Sequence, residues 1–226
     1  MGSVPPLPPE TMTALSQAAR VAIDALPMLD MVGTAVFALS GALAAARQRQ
    51  TLVTFSFFAL ITGVGGGTVR DLMIGAPVFW VHADWVPLTC LAMALLVWFT
   101  PERWWAGQNG DYRALDWADA VGLAAYSVFG TAKALSYGIG PVPAALMGVI
   151  TACVGGILRD VLAGRPSIIL RPELYVTAAA LSAGLFALLL ATGMLWQPAA
   201  LIATLAGFIL RALAIHKGLA IPGYRR

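Results

Sequence analysis

The sequence predicts an all-α membrane protein: seven transmembrane helices, built as an inverted three-plus-three repeat with one further helix at the C-terminus. Three observations carry this expectation. The chain of 226 residues is 59% hydrophobic and only 11% charged, with a mean hydropathy of +0.81, whereas soluble domains carry about 25% charged residues. Apolar runs of about 20 residues, the length that crosses a bilayer, recur along it. Finally, the stretch Thr62-Gly63-Val64-Gly65-Gly66-Gly67-Thr68-Val69-Arg70-Asp71 returns 89 residues later as Thr151-Ala152-Cys153-Val154-Gly155-Gly156-Ile157-Leu158-Arg159-Asp160.

Taken in order, residues 1–27 form an extracytoplasmic segment. Its Pro-rich start lacks the basic and continuous apolar regions of a signal peptide. From Thr11 to Leu26, apolar residues at Leu15, Ala18, Ala22 and Leu26 recur at helical spacing and predict a short interfacial helix. Spans are expected at 28–46, 51–74, 85–100, 117–137, 141–163, 173–192 and 198–216. They group into a first repeat at 28–100, a cytoplasmic linker at 101–116, a second repeat at 117–192, and a last span with its tail at 193–226. All seven tryptophans fall at or just beyond span ends, as an aromatic belt requires. Cys90 and Cys153 lie inside spans and read as buried thiols, not as a disulfide framework.

The repeat extends well past the glycines. At the same offset Asp30 meets Asp119, Gly33 meets Gly122, Gly41 meets Gly130, Gly75 meets Gly164, Pro77 meets Pro166 and Asp84 meets Glu173, with no gap. A unit of three spans must enter the bilayer from opposite sides in its two copies, so the repeat is inverted. Seven spans put Arg47, Arg49, Arg103, Arg113, Arg165, Arg171, Lys217, Arg225 and Arg226 on one side and Arg20 on the other. The excess of basic residues marks the cytoplasm. The N-terminus is therefore expected outside and the C-terminus inside, in a multi-pass protein of the cell inner membrane.

Glycine in a helix interior costs roughly 1 kcal/mol relative to alanine, and ionised groups in hydrocarbon cost several more. Such a stretch is expected to be enclosed by protein or a water-filled cavity. The glycines are expected to break the second and fifth spans near the midplane, exposing carbonyls and N–H groups that build an ion or small-solute site. Neighbours on a helix point about 100° apart, so Arg70 and Asp71 are expected to pair across the repeats, Arg70 with Asp160 and Arg159 with Asp71. These four residues either line and gate a pathway or staple the two halves together. Lys133 is the single lysine inside a span and its repeat partner is Ala44; it either snorkels to the outer interface or faces the pathway. Thr62, Thr68 and Thr151 flank the glycines and either offer hydroxyls to a dehydrated solute or bond their own helix.

Enzyme chemistry has no support in the motifs: the glycines are followed by no Gly-Lys-Ser/Thr, and no metal spacing or nucleophile elbow is present. Nothing points to nucleic acid either. The paired segments Gly-Gly-Gly-Thr-x-Arg-Asp and Gly-Gly-x-x-Arg-Asp, each followed by Gly-x-Pro, resemble the prokaryotic trimeric intracellular cation (TRIC) channel family over about residues 28–217. That resemblance implies a homotrimer in membrane lipid, without a cofactor, whose subunits each hold a pore for monovalent cations, chiefly potassium. It implies kinks in the second and fifth spans at Gly65, Gly66 and Gly67 and at Gly155 and Gly156. The same bacterial domain is also associated with carriers of glycine or similar small amino acids. The residues leave both readings open: an exposed carbonyl suits an alkali cation, and a helix N-terminus with Arg70 or Arg159 suits a carboxylate.

Overall fold

In a computed structural model the protein is described over residues 9–25, 27–106, 113–170 and 174–220, and over their side chains except at 9, 10, 18, 21–25, 27–29 and 113. The N-terminal tail, the Arg113 side chain, and Arg171, Glu173, Arg225 and Arg226 lie outside the described residues. Eight α-helices are found among the described residues: α1 (Pro9–Ala25), α2 (Pro27–Arg47), α3 (Leu52–Met73), α4 (Trp85–Phe99), α5 (Arg113–Ser136), α6 (Pro141–Leu162), α7 (Val176–Ala191) and α8 (Trp196–Lys217). Helix α1 covers the stretch expected to be interfacial as far as Ala25, and α2–α8 are helices at the positions of the seven expected spans. Three of them, α3, α6 and α8, are long and apolar enough to cross a membrane by length and composition.

The internal repeat is visible in the packing. A Cβ built on Gly66 would overlap the carbonyl oxygen of Thr151, and one on Gly155 would stand 2.6 Å from the carbonyl oxygen of Thr62. These two contacts exchange under the 89-residue offset. The same holds between α2 and α5, where Gly33 faces Tyr126 and Gly122 faces Phe37, with the Phe37 and Tyr126 rings stacked at 5.3 Å. In both pairs a rising residue number on one helix meets a falling number on the other. The helices therefore run antiparallel, and a two-fold axis across the bundle relates the halves, as an inverted repeat requires.

Helix ends explain the Gly-x-Pro motif. Gly75 and Gly164 have φ of 68° and 60°, the left-handed conformation in which glycine carries no Cβ penalty. Ala76 N–H then bonds the Asp71 carbonyl and Arg165 N–H bonds the Asp160 carbonyl, closing the last turns of α3 and α6 alike. Pro77 and Pro166 follow and prevent either helix from resuming. Helix α1 packs Leu15 and Ala19 into a cluster with Ala132, Leu135 and Phe186, and Arg20 Nε donates to the Ser136 carbonyl at the end of α5 at 3.2 Å.

Candidate functional site

The expected glycine breaks are not there. Helices α3 and α6 are wound without interruption through Gly63–Gly67 and Gly155–Gly156, and none of these glycines adopts a positive φ. Their use is a close crossing. With no Cβ at Gly66 or Gly155, each backbone rests against the facing threonine carbonyl. Thr68 Oγ1 donates to the Val64 carbonyl at 2.8 Å and Thr151 Oγ1 to that of Met147 at 2.6 Å, so both hydroxyls bond their own helix, as threonines in spans commonly do. Thr62 is buried, and a Cβ on Gly41 would stand 2.7 Å from its hydroxyl. The other glycines make room for rings and side chains: Gly65 faces Leu158, Gly67 faces Phe79, and Gly156 faces Tyr175.

On either side of this crossing lies a cluster of buried charge. In the first, Arg70 Nε donates to Asp71 Oδ1 at 2.8 Å, and Lys133 Nζ reaches the same oxygen at 2.8 Å. Arg70 is 1% exposed and Asp71 0%. Asp71 Oδ2 accepts the Phe79 N–H at 3.0 Å, which draws the chain after Pro77 back over the cluster. Phe79 and Phe129 then cover the charges, with the Arg70 guanidinium 5.9 and 5.3 Å from their ring centroids.

The second cluster repeats this plan at the other end of α6. Arg159 Nε donates to Asp160 Oδ1 at 2.9 Å, and Asp160 Oδ2 accepts the Ile168 N–H at 2.8 Å. Ile168 is the repeat partner of Phe79. Here Arg159 also bridges to Asp119 at 2.8 Å and donates to Ser40 Oγ. A cavity of about 20 Å³ beside Asp160 opens among Arg47, Asp116 and Arg165.

The two clusters are alike in frame and unlike in charge. The first holds two cations on one carboxylate, and the second one cation on two. Asp30, the counterpart of Asp119, accepts instead from the Tyr126 hydroxyl at 3.2 Å; the residue equivalent to Tyr126 is Phe37, which has no hydroxyl to offer Asp119. Val64 and Cys153 mark the level of the crossing, so Arg70 and Arg159 each lie about 9 Å from it in opposite directions, at about 1.5 Å per residue. The clusters are thus roughly 18 Å apart along the bundle.

The pairing expected across the repeats, Arg70 with Asp160 and Arg159 with Asp71, is therefore replaced by pairing within each Arg-Asp dipeptide. The inverted arrangement sends residues 70 and 159 to opposite ends, out of each other's reach. The long arginine side chain also curls back across the 100° that separates neighbours on a helix. From the two clusters, Lys133 of α5 on Asp71 of α3 and Arg159 of α6 on Ser40 of α2 join the halves, beside the bonds of Tyr126 on α5 with Asp30 and Thr34 on α2. Lys133 points into the bundle and does not snorkel. Sequence reasoning took Asp119 only as the repeat counterpart of Asp30 and passed over Ser40, Tyr126, Phe79, Tyr175 and Arg211. A carboxylate at 119 inside a predicted span, and an arginine at 211 inside another, were the available signals.

Comparison with known proteins agrees with this architecture. A family model described as "Glycine transporter" matches residues 27–102 and again residues 116–191. A UPF0126 membrane protein of Vibrio cholerae is 38% identical over 205 residues, covering 88% of this chain and 82% of that protein. The UPF0126 inner membrane protein YadS of Escherichia coli K12 is 42% identical over 157 residues, covering 66% of this chain and 72% of that protein. Among solved structures, the TRIC trimeric intracellular cation channel orthologue from Rhodobacter sphaeroides superposes with a TM-score of 0.77 at 42% identity, over 85% of this chain and 97% of that one. A prokaryotic TRIC channel crystallised in 0.5 M KCl gives a TM-score of 0.78 at 28% identity, over 85% of this chain and 96% of that one. The duplicated match, the identity to membrane proteins across most of the chain and the shared fold lead to one conclusion: the chain belongs to the UPF0126 family of membrane proteins, whose fold is that of the prokaryotic TRIC cation channels.

Proposed function

We propose that this protein is a channel for monovalent cations, chiefly potassium, with a pore inside each subunit of a homotrimer in the cell inner membrane. The observation that carries the reading is the pair of charge clusters, one on each side of the α3–α6 crossing, in a chain whose solved relatives are cation channels. Charged groups buried within apolar helices are costly and mark ion pathways. A cation would pass beside the crossing, along α2, α3, α5 and α6, meeting Asp71 and Lys133 at one level and Asp119 and Asp160 at the other. In this reading Gly65, Gly66, Gly67, Gly155 and Gly156 set the bend and spacing of α3 and α6. Thr62, Thr68 and Thr151 lie along the route, and Arg70 and Arg159 hold the carboxylates in place.

The topology belongs to the same proposal. Helices α2–α8 all cross; α4 and α7, of 15 and 16 residues, are the third helices of their repeats and cross where the bilayer thins. Repeats at 28–100 and 117–192 flank the linker at 101–116, the N-terminal segment is outside and the tail after α8 is cytoplasmic. That orientation puts the Arg70 cluster toward the outside and the Arg159 cluster toward the cytoplasm.

A second reading, carriage of glycine or another small amino acid, draws on the description of the matching family model and on the close contact of α3 with α6 between the clusters, which suits an occluded state. Reconstitution separates the two. Purified protein in planar bilayers with potassium chloride on both sides is expected to give unitary current steps. Saturable glycine uptake into proteoliposomes, without such steps, would replace the channel by the carrier.

A further inference from the structure

Arg211 lies on α8, outside both repeats, and is 1% exposed. An arginine at that depth in an apolar helix needs a reason, and its neighbours supply one. A Cβ on Gly207 would overlap Ser182 Oγ and stand 2.9 Å from the Ala178 carbonyl oxygen, so α8 sits directly on α7 there. One turn further on, the Arg211 guanidinium lies 5.3 Å from the centroid of the Tyr175 ring. Tyr175 immediately precedes α7 and shares with Ala178 and Ser182 the face turned to α8.

Tyr175 is itself 1% exposed. Its hydroxyl enters the notch left by Gly156, where a Cβ would stand 2.7 Å from Tyr175 Oη and 3.2 Å from Asp119 Oδ1. Asp119 bridges to Arg159 at 2.8 Å. Tyr175 Oη and Asp119 Oδ1 thus border the same notch, and Arg211, Tyr175, Asp119 and Arg159 line up in sequence from α8 into the second cluster. The first cluster has no such connection by repeat, because the residue equivalent to Tyr175 is Val86.

We propose that Arg211 and Tyr175 are positioning residues through which α8 holds the Asp119–Arg159 bridge in register, so that a shift of the C-terminal helix opens or closes the second cluster. The gating consequence rests on the channel reading; the mechanical coupling does not. Two assays on the full-length protein keep them apart.

Hydrogen exchange in detergent or nanodiscs reads the coupling. R211Q and Y175F should each raise exchange severalfold in peptides spanning the first turns of α5 and the last turn of α6, with R211K close to wild type. The double variant R211Q/Y175F should add little beyond either single change, since both cut one connection. Bilayer recording reads the consequence: R211Q and Y175F should change open probability by roughly twofold to thirtyfold, the range that coupling mutations cover, and leave the unitary conductance unchanged. If R211Q does not fold, Y175F and R211K decide the matter alone. Exchange at α5 and α6 that is unchanged in Y175F, or equally raised in R211K, overturns the proposal. A wild type with no unitary currents overturns the channel reading and leaves the exchange result to stand or fall separately.

Discussion

At the scale of single residues, each Arg-Asp dipeptide does two jobs through one carboxylate. Asp71 gives one oxygen to Arg70 and Lys133 and the other to the Phe79 N–H, and Asp160 does the same for Arg159 and the Ile168 N–H. The acid fixes the charges and ties down the chain that follows. Replacing Asp71 with Asn strands two buried cations, a loss of about 3–5 kcal/mol by analogy with broken buried pairs. It should appear as a large drop in the melting temperature of the purified protein. Lys133→Met leaves the Arg70–Asp71 pair intact and should lower the melting temperature far less. A charge swap distinguishes the observed pairing from the one the helical wheel suggests. Asp71→Lys combined with Lys133→Asp should recover part of the stability lost in Asp71→Lys, whereas Arg70→Asp combined with Asp160→Arg should recover none. Recovery in the second pair and not the first would mean that the arginines do reach across the repeats.

At the scale of helices, the glycines act as contact surface. Gly66 makes the tightest approach to backbone among the described glycines, since any side chain there meets the Thr151 carbonyl and not a movable group. Gly66→Ala should cost about 1–3 kcal/mol through overpacking. Gly184, on the exposed face of α7 with nothing near its Cβ position, serves as the control. Gly184→Ala should gain about 0.5–1 kcal/mol from helix propensity. Thermal melts of the two variants check both signs; a Gly66→Ala protein as stable as wild type would mean that α3 and α6 do not touch there. The sequence was readable at this scale where physics is local. Span length, tryptophan belts and the 89-residue offset located α2–α8 to within a few residues at nearly every end, with α5 starting four residues early. The glycine runs misled, because a flexible backbone and a close-packed backbone call for the same residue. Only the facing helix decides which, and that helix is 89 residues away.

At the scale of the molecule, an inverted repeat gives the protein two copies of one charged frame, and a few substitutions make them unequal. Lys133 against Ala44 gives the first cluster one more cation, while Tyr126 against Phe37 and Tyr175 against Val86 change what Asp30 and Asp119 meet. Which acids pair with which bases was legible only once the antiparallel register was known. The symmetric set of Arg70, Asp71, Arg159 and Asp160 could be found from the repeat. Asp119 and Arg211 could be seen as charges inside spans, but which partners they and Ser40 meet follows from packing that no local pattern records. For a channel, this inequality has a consequence. Current in symmetric potassium chloride should rectify, and Lys133→Met, which brings the first cluster nearer to the charge of the second, should reduce the rectification. The most direct measurement of the whole account is therefore single-channel recording of wild type and Lys133→Met side by side in planar bilayers. Unitary potassium currents, asymmetric in voltage for the wild type and more symmetric for the variant, are the predicted result. Bilayers that stay silent while proteoliposomes accumulate glycine would contradict it.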